Sequence, residues 1–427
     1  MKIDLAFAKC VQTARIPDEN IIGILKPNDV TYKLTDEQEV LYSMEHPIDS
    51  APLQHIVRPG EKVVIITSDI TRPMPSKIVL PVVLDRLRAA GLRMEDVTVV
   101  FALGSHRKQT EEEMRYLVGD SVYDTVRCID SDPDDFVHMG TTTRGTPVDI
   151  FTPVAQADRR ICLGNIEFHY FAGYSGGAKA IMPGVSTRAA IQSNHSRMVE
   201  ESSHAGKISG NSVREDIDEV QSFVPIDFIV NVVLDEKKRI IKCVSGHWKN
   251  AHRAGCRFLD TLYKVEIAEK ADIVLVSPGG YPKDINLYQA QKALDNAKHA
   301  VADGGIIILV ASCKEGLGEG VFERWMTQSE STEFMVKEIK RNFELGGHKA
   351  AAIGMVMQKS DVYLVSDLED DFVRGIFFKP YPTLQDAVIH AFAKKGLDAK
   401  VIIMPFGGST LPAAADRMED ARVVGLA

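Results

Sequence analysis

The sequence lacks several patterns that mark whole classes of protein. Its six cysteines form no C-x-x-C pair, which argues against ribbon-type zinc sites and thioredoxin-type redox chemistry. No segment reaches about 18 uninterrupted apolar residues, and the N-terminal segment has no apolar stretch of signal-peptide length. We therefore expect a cytoplasmic protein with reduced thiols that neither spans a membrane nor enters the secretory pathway.

Positive charge is not concentrated in any long run of the chain. The 50 Lys and Arg residues and the 59 Asp and Glu residues give a formal net charge of −9, without a long basic run. General nucleic-acid binding is therefore not expected. With 427 residues, 45% hydrophobic and 26% charged, the chain has the composition of a globular protein and the length for two or three domains.

The chain alternates short β-branched runs with helical patterns, which predicts an α/β fold with largely parallel sheets. The predicted strands are 63–67, 97–103, 160–164, 228–234, 273–276, 305–311, 362–365 and 401–405. Helices are predicted between them, for example at 76–90 and 286–302. An amphipathic stretch that ends near residue 270 predicts two domains, 1–265 and 266–427.

A polar loop follows the strand predicted at 63–67. It runs from Ser68 to Pro73 at the carboxyl end of that strand, which is where open α/β sheets bind ligands. Arg72 offers a planar set of donors that suits a carboxylate or a phosphate. Asp69 is close enough in sequence to orient Arg72 or to pair with another cation. The alternative is a salt bridge within the loop that caps the following helix.

Two further predicted strands lead to histidines. The strand at 97–103 precedes His106, and the strand at 160–164 precedes His169. We expect both imidazoles at the same sheet edge as Arg72. Histidine titrates near neutral pH, so two imidazoles that flank one substrate could remove a proton on one face and return it on the other. Taken singly, each histidine is better explained as a polar surface or capping residue, and it is the coincidence of three strand ends that favours a shared site.

The densest motif is a glycine-rich segment that ends in a lysine. Gly176 and Gly177 permit close backbone approach to a phosphate or a planar cofactor, and Lys179 follows them. The segment is not a Walker A loop, because Ala180 stands where that loop has a magnesium-binding hydroxyl. An apolar setting would lower the pKa of Lys179 and suit it to covalent attachment, whereas a structural turn would leave it exposed. Beyond this segment, His195 could supply one ligand to a metal ion.

The second half of the chain carries another group of polar residues. Tyr288, Gln289 and Lys292 share one face of the helix predicted at 286–302, because they stand three and four residues apart. They could clamp an anionic, hydroxylated ligand. An ordinary solvated helix face is the alternative interpretation.

Together these motifs resemble those of the nickel-pincer lactate racemase family, over most of the chain and in the same order. The resemblance is carried by the stretches Ser68-Asp69-x-Thr71-Arg72-Pro73, Gly104-x-His106-Arg107, His169-Tyr170-Phe171-Ala172-Gly173-Tyr174-Ser175-Gly176-Gly177-x-Lys179, His195 and Tyr288-Gln289-x-x-Lys292. It implies a two-domain α/β enzyme with its active site in a cleft between the domains. It also implies a covalently bound nickel pyridinium-3,5-dithiocarboxylic acid mononucleotide, which separate cofactor-synthesis proteins would supply.

The resemblance further implies roles for individual residues. The lysine that matches Lys179 carries the thioamide link to this nickel-pincer nucleotide in the family, and the histidine that matches His195 completes the coordination of nickel. Gly176 and Gly177 would belong to the cofactor-binding segment. The protein itself would orient the cofactor and the substrate and would supply the electrostatic environment of the reaction.

The implied reaction is racemisation or epimerisation of a 2-hydroxy acid by reversible hydride transfer through a planar 2-keto acid. His106 and His169 would be the acid/base pair. The implied substrate-binding residues are Arg72, Lys292, Asp69, Tyr288 and Gln289. Lactate is the first expected substrate, and malate, phenyllactate or a sugar acid would need only a reshaped pocket.

Two other classes of function remain open from the sequence. A non-catalytic protein that binds a nucleotide or a small anion would also use Arg72 and the glycine-rich segment. A metal hydrolase would instead need several protein ligands on one ion, drawn from His106, His169, His195 and Asp69.

Overall fold

The computed structural model describes residues 1–414. Its strands are β1 (Lys2–Phe7), β2 (Cys10–Arg15), β3 (Ile21–Ile24), β4 (Val63–Ser68), β5 (Val97–Ala102), β6 (Arg127–Asp130), β7 (Phe136–Thr141), β8 (Pro147–Phe151), β9 (Arg159–Asn165), β10 (Phe168–His169), β11 (Gly173–Tyr174), β12 (Phe228–Leu234), β13 (Ile240–Gly246), β14 (Lys264–Ile267), β15 (Ala271–Val276), β16 (Val301–Val310), β17 (Asp361–Val365), β18 (Lys379–Tyr381), β19 (Val401–Met404) and β20 (Leu411–Ala414). Its α-helices are α1 (Asp36–Glu45), α2 (Ser76–Ala89), α3 (Glu111–Val118), α4 (Asp120–Tyr123), α5 (Thr152–Ala155), α6 (Arg188–His195), α7 (Ser212–Glu219), α8 (Asn250–Tyr263), α9 (Leu287–Ala297), α10 (Gly320–Gln328), α11 (Thr332–Arg341), α12 (Gly347–Met357), α13 (Asp370–Gly375) and α14 (Leu384–Lys395). Within this part of the chain, every helix is too short or too polar to cross a bilayer.

The chain folds into two compact units. The central unit is Val30–Asp260, and the discontinuous unit combines Met1–Asp29 with the chain from Thr261 onward. This division differs from the predicted domains 1–265 and 266–427, because the N-terminal residues belong with the second half of the chain. The physical reason is the short strand β3, which pairs with β19 and so completes the sheet of the discontinuous unit.

The central unit is built on a six-stranded sheet. Its strand order is β13-β12-β9-β4-β5-β6, and only the pair of β12 and β13 is antiparallel. The helix α2 packs against this sheet through apolar residues at helical spacing, and Val79, Val83 and Leu87 are completely buried. Burial of each such side chain contributes roughly 1.5–3 kcal/mol before entropy is considered. The sheet is therefore a rigid base for the loops at its strand ends.

The discontinuous unit contains a second six-stranded sheet, which is entirely parallel. Its strand order is β18-β17-β16-β15-β19-β3. The central strands are buried on both faces, as in β15, where Ile273 to Val276 are inaccessible to solvent. Such continuous apolar strands are typical of parallel sheets that helices cover on both sides.

The predicted α/β class with largely parallel sheets is confirmed. Each of the predicted strand runs forms a strand, with ends displaced by a few residues. The helix predicted at 286–302 ends earlier, at Ala297. It cannot continue to residue 302, because Val301 already pairs with Ala271 in the sheet. The β-branched Val301 thus begins a strand where the helical pattern was extended too far.

Candidate active site

Three adjacent parallel strands of the central unit lead to site residues predicted from the sequence. The strands β9, β4 and β5 lie side by side. The connections that follow them carry His169, which lies in the short strand β10, and Arg72 and His106, which lie in loops. The three connections therefore start from one edge of one sheet. Loops at this edge are the common ligand-binding elements of open α/β folds.

His106 is held by a buried carboxylate. Its Nδ1 atom lies 2.7 Å from Oδ2 of Asp69, and the Thr71 hydroxyl donates to the other carboxylate oxygen at 2.8 Å. Because a carboxylate only accepts hydrogen bonds, Nδ1 is the donor, and the neutral imidazole then carries its lone pair on Nε2. His106 can therefore accept a proton at Nε2. Asp69, which the resemblance assigned to the substrate, binds the imidazole in this structure.

His169 has the opposite hydrogen-bonding polarity. The backbone N–H of Ala172 donates to its Nδ1 atom at 3.2 Å, so the neutral imidazole carries its proton on Nε2. Burial lowers the pKa of His169 well below its usual value, and the positive charge of Arg72 lowers it further. His169 is therefore neutral near pH 7 and presents an N–H group.

Phe171 lies at the centre of a cluster of predicted site residues. Its buried ring makes edge-to-face contacts with His169 and His195, with ring centroids 4.4 and 4.9 Å apart. The Nζ atom of Lys179 lies 6.0 Å from the same ring centroid. Edge-to-face contacts favour particular ring orientations, so one aromatic side chain orients both imidazoles and lies beside the amine of Lys179.

Lys179 lies on a 3₁₀ turn, Gly177–Ala180. Burial lowers the pKa of its amine well below the usual value, and the nearby charges of Arg214 and Arg72 lower it further. A lowered pKa favours the neutral amine, which is the nucleophilic form. Lys179 is therefore suited to covalent attachment.

The glycine-rich loop is fixed by buried polar side chains of the central unit. Oδ1 of Asn231 accepts the N–H of Gly177 at 2.8 Å, and Nε2 of His252 donates to the carbonyl oxygen of Ser175 at 2.7 Å. A Cβ atom at Gly176 would lie 2.8 Å from Oδ1 of Asn231, and one at Gly177 would lie 2.9 Å from the ring of His252. Both glycines also have positive φ angles. The loop's own packing thus requires glycine at both positions, and their contact with a cofactor stays a prediction.

Arg214 supports the same loop from within the protein. Its side chain is fully buried and donates from Nε to the carbonyl oxygen of Ala172 at 3.1 Å and from Nη2 to that of Tyr174. Oδ1 of Asp218 lies 3.6 Å from Nη1 of Arg214, so the carboxylate balances the charge of the guanidinium. Arg214 therefore fixes the backbone of the loop and places a positive charge near Lys179.

His195 is the last residue of α6 and is buried. The helix begins after Thr187, whose hydroxyl accepts the N–H of Ala190 at 3.3 Å and so caps the helix. Nδ1 of His195 lies 2.9 Å from Oδ1 of Asn194. A histidine can bind a metal through either ring nitrogen, and Asn194 contacts one of the two in His195.

Arg72 is exposed in the loop after β4. Its backbone N–H donates to the carbonyl oxygen of Asp69 at 3.1 Å. Within residues 1–414, its guanidinium makes no hydrogen bond or ion pair, yet it is close enough to lower the pKa of His169 and of Lys179. An unpaired guanidinium in this position is suited to bind an anion.

The remaining predicted residues lie on α9 of the discontinuous unit. This helix begins after Asn286, whose side chain accepts the N–H of Gln289 at 3.0 Å. Nζ of Lys349 donates to the carbonyl oxygen of Tyr288 at 2.6 Å and lies 3.8 Å from the centroid of the Tyr288 ring. Gln289 and Lys292 are exposed. Lys349 thus orients Tyr288, a function that the sequence did not indicate.

Several residues that support predicted site residues or the glycine-rich loop had no predicted role, namely Thr71, Phe171, Asn194, Arg214, His252 and Lys349. Thr71 and Asn194 stand next to predicted residues, so their spacing could have pointed to them. Arg214 and His252 carry no local signal, because only the fold brings them to the glycine-rich loop. Among the described residues, no three His, Cys, Asp or Glu side chains are grouped as ligands of a metal ion.

Comparison with known families gives two matches along this chain. Residues 7–206 match the family described as the lactate racemase N-terminal domain, and residues 266–411 match the lactate racemase C-terminal domain. A lactate racemase of Lactiplantibacillus plantarum is 35% identical over 417 residues, which are 95% of this chain and 98% of the relative. A lactate racemase of Thermoanaerobacterium thermosaccharolyticum is 32% identical over 421 residues, which are 96% and 98% of the two chains.

Solved structures agree with these sequence matches. The lactate racemase apoprotein from Thermoanaerobacterium thermosaccharolyticum has a TM-score of 0.86 and 32% identity, and the match covers 97% of this chain and all of that one. A protein from Thermotoga maritima has a TM-score of 0.60, and the match covers 90% of this chain and all of that one. At 17% identity, it shows the fold alone.

The two α/β units and the near full-length relatives define the chain as an isomerase of the racemase class. More particularly, the chain belongs to the lactate racemase family. This membership favours an enzyme over the non-catalytic binding protein, and an isomerase over the metal hydrolase.

Proposed function

We propose that this protein racemises a 2-hydroxy acid, lactate first, by reversible hydride transfer through a planar 2-keto acid. We further propose that it uses a covalently bound nickel-pincer nucleotide, which when bound accepts the α-hydrogen of the substrate as hydride and returns it. The observation that carries the proposal is the pair of imidazoles His106 and His169, whose opposite hydrogen-bonding polarities occur in one unit with the desolvated amine of Lys179.

The residues present fit the proposed cofactor. The neutral form of Lys179, which burial favours, is the nucleophilic form that a thiocarboxyl group of the cofactor could thioacylate to give the thioamide. Imidazole is a good ligand for nickel, and His195 lies against the same aromatic ring as Lys179. These two residues would hold the group. Gly176 and Gly177 stay its predicted neighbours in the loop.

His106 is arranged to take a proton from the substrate hydroxyl. Asp69 holds its Nδ1 proton, so the Nε2 lone pair of a neutral imidazole can accept another, and the carboxylate stabilises the imidazolium that results. Acid/base catalysis of this kind contributes about 10²–10⁴-fold to a rate. In this role Asp69 acts through His106.

His169 is arranged to donate a hydrogen bond to the substrate oxygen. Its proton lies on Nε2, and its lowered pKa keeps the imidazole neutral. To act as the base toward the opposite enantiomer, as the predicted acid/base pair requires, His169 must carry its proton on Nδ1 instead. That change breaks the hydrogen bond from Ala172.

Arg72 is proposed to bind the substrate carboxylate. Its guanidinium, which has no partner among residues 1–414, can make two parallel hydrogen bonds to a carboxylate. Lys292 stays a predicted second cation for that carboxylate, and Tyr288 and Gln289 stay predicted helpers. The cytoplasmic location and the cofactor-synthesis proteins as partners also stay predictions.

The test is to produce the chain together with cofactor-synthesis proteins, and then to measure intact mass, peptide mass and nickel. We expect an adduct on the peptide that contains Lys179, about one nickel per chain, and interconversion of the two enantiomers of lactate. A Lys179→Met variant, produced in the same way, should carry neither the adduct nor the activity.

A panel of chiral 2-hydroxy acids distinguishes the possible substrates. Faster racemisation of malate, phenyllactate or a sugar acid than of lactate would keep the chemistry and change the substrate. Unmodified Lys179 without nickel, in a preparation that loads another member of the family, would contradict the proposed cofactor.

A further inference from the structure

A buried relay of polar side chains ends on His195. The carboxylate of Asp216 accepts hydrogen bonds from Thr142 at 2.5 Å, from Thr146 at 2.7 Å and from Nδ2 of Asn194 at 2.8 Å. Asp216, Asn194 and Thr146 are completely inaccessible to solvent. Three separate elements contribute to this relay. Helix α7 supplies Asp216, helix α6 supplies Asn194 and His195, and the turn of the β7–β8 hairpin supplies the two threonines.

The relay fixes the orientation of the Asn194 side-chain amide. Its Nδ2 atom faces the carbonyl oxygen of Val213 at 3.2 Å and the carboxylate of Asp216. Both partners are acceptors, so the amide NH2 group must lie on their side. A rotated amide would place its oxygen against two other oxygens in a buried site, which is costly. Oδ1 of Asn194 therefore faces Nδ1 of His195 at 2.9 Å.

An amide oxygen is also only an acceptor, and this determines the tautomer of His195. Nδ1 must carry a proton to form the hydrogen bond, so the lone pair of the neutral ring lies on Nε2. Histidines that bind metals commonly donate their other ring N–H to such an outer partner, which fixes both tautomer and orientation. We propose that Asn194, oriented by Asp216, is the positioning residue that makes Nε2 the metal-binding nitrogen of His195. This inference rests on the proposed function only for the identity of the metal.

The three site imidazoles show that the partner of Nδ1 differs with the proposed role. His106 donates to a carboxylate, His169 accepts from a backbone N–H, and His195 donates to a neutral amide. A carboxylate partner stabilises the imidazolium of a proton acceptor. An amide partner does so less, and it therefore suits a ligand that must stay neutral to bind a metal.

The primary test is the tautomer of His195 in the full-length chain, produced without cofactor-synthesis proteins. Nitrogen-15 NMR of labelled histidines distinguishes protonated from unprotonated ring nitrogens, and a His195→Gln variant identifies the signal by its loss. At about pH 8, above the ordinary histidine pKa of about 6.5, we expect a protonated Nδ1 and an unprotonated Nε2. A protonated Nε2 in the unaltered protein would overturn the inference, whatever any variant does.

Two variants separate positioning from stability. Asn194→Leu keeps the number and branching of the side-chain heavy atoms but offers no acceptor, so the signals of His195 should change to a mixture or to the opposite tautomer. Thr142→Val removes a donor to Asp216 but leaves the hydrogen bond of Asn194, so it should lower thermal stability and keep the signals of His195. A folded Asn194→Leu protein with unchanged signals would contradict the proposal, as would a Thr142→Val protein that changes them equally.

A second readout uses protein loaded with the proposed cofactor. Loss of an outer partner of a metal ligand typically reduces metal affinity by about 10- to 100-fold, so nickel should leave Asn194→Leu correspondingly faster in the presence of a chelator, with Thr142→Val close to the unaltered protein. Absence of nickel and of the Lys179 adduct would contradict the proposed function and leave the tautomer result standing. Nickel bound to a protein whose His195 has the opposite tautomer would contradict this inference alone.

Discussion

Nδ1 of His106 lies 2.7 Å from Oδ2 of Asp69, and the hydroxyl of Thr71 donates to Oδ1 of the same carboxylate. The two oxygens of Asp69 therefore have different partners. This difference determines how an amide would sit in place of the carboxylate, and it gives a direct test of the role of His106.

The Asp69→Asn change should reverse the tautomer of His106. The Thr71 hydroxyl would hold the amide oxygen, so the NH2 group would face Nδ1 and the proton of the neutral ring would move to Nε2. We expect kcat for racemisation to fall by about 10²–10⁴-fold, with little change in thermal stability. The measurement is the rate from each enantiomer of lactate. Thr71→Val is the control, because it removes the hydroxyl, which lies 3.2 Å from Nδ1 of His106, but keeps the shorter bond of Asp69 to that atom. Equal losses in both variants would contradict this role.

The loop before Lys179 should tolerate no side chain at Gly177. Its φ angle is +61°, and a Cβ atom would lie 2.9 Å from the buried ring of His252. Gly145 is a matched control, because its φ is +84° but nothing lies within 4 Å of its Cβ position. We expect Gly177→Ala to lose about 1–3 kcal/mol more than Gly145→Ala, measured by chemical denaturation. Equal losses would mean that backbone strain alone explains the glycine.

The sequence was informative where chemistry and local pattern coincide. The apolar strands β4, β5 and β9 and the polar loops after them were visible, because buried parallel strands are continuous apolar runs. The short strand β3 was missed, since Ile22 and Ile24 are exposed and its pattern is weak. That strand carries the N-terminal residues into the discontinuous unit, so the predicted domain division differed there.

The site was predictable only as far as its residues stand near one another in sequence. His106, His169 and Lys179 follow recognisable strand ends or a recognisable loop. The partners that fix them do not, because Arg214 and His252 reach the loop only through the fold. Likewise, no local pattern shows that Asp69, although it is near Arg72 in sequence, binds His106. That contact follows from the adjacency of β4 and β5.

Replacement of Lys179 should stabilise the cofactor-free protein at neutral pH. The unfolded chain protonates this amine below about pH 10.4, whereas burial disfavours protonation in the folded state. The unfolded state thus binds more protons, and stability rises with pH up to about 10.4. Lys179→Met removes this cost, so the melting temperature of this 427-residue chain should rise by about 1 °C for each kcal/mol removed.

The pH dependence of that gain distinguishes it from a simple packing effect. The advantage of Lys179→Met should shrink as the pH approaches about 10.4, and thermal unfolding between neutral and alkaline pH measures it. Lys108 is the control, because its exposed ammonium pairs with Asp132 at 2.9 Å and its pKa is raised. Lys108→Met should show no gain, and a gain at Lys179 that is constant with pH would contradict burial of the amine as its cause.

Arg72 should govern substrate affinity more than turnover. Its exposed guanidinium has no partner within residues 1–414, and a hydrogen bond to a charged group contributes about 1.5–3 kcal/mol. Arg72→Met should therefore raise KM by about 10- to 100-fold, with a smaller effect on kcat. Arg72→Lys should be intermediate, because it keeps the charge but loses the paired donors. The control is Arg107→Met, since Arg107 is exposed near His106 but already binds Glu113 through two hydrogen bonds. If both methionine variants raised KM equally, the effect would come from net charge, and Arg72 would not bind the carboxylate directly.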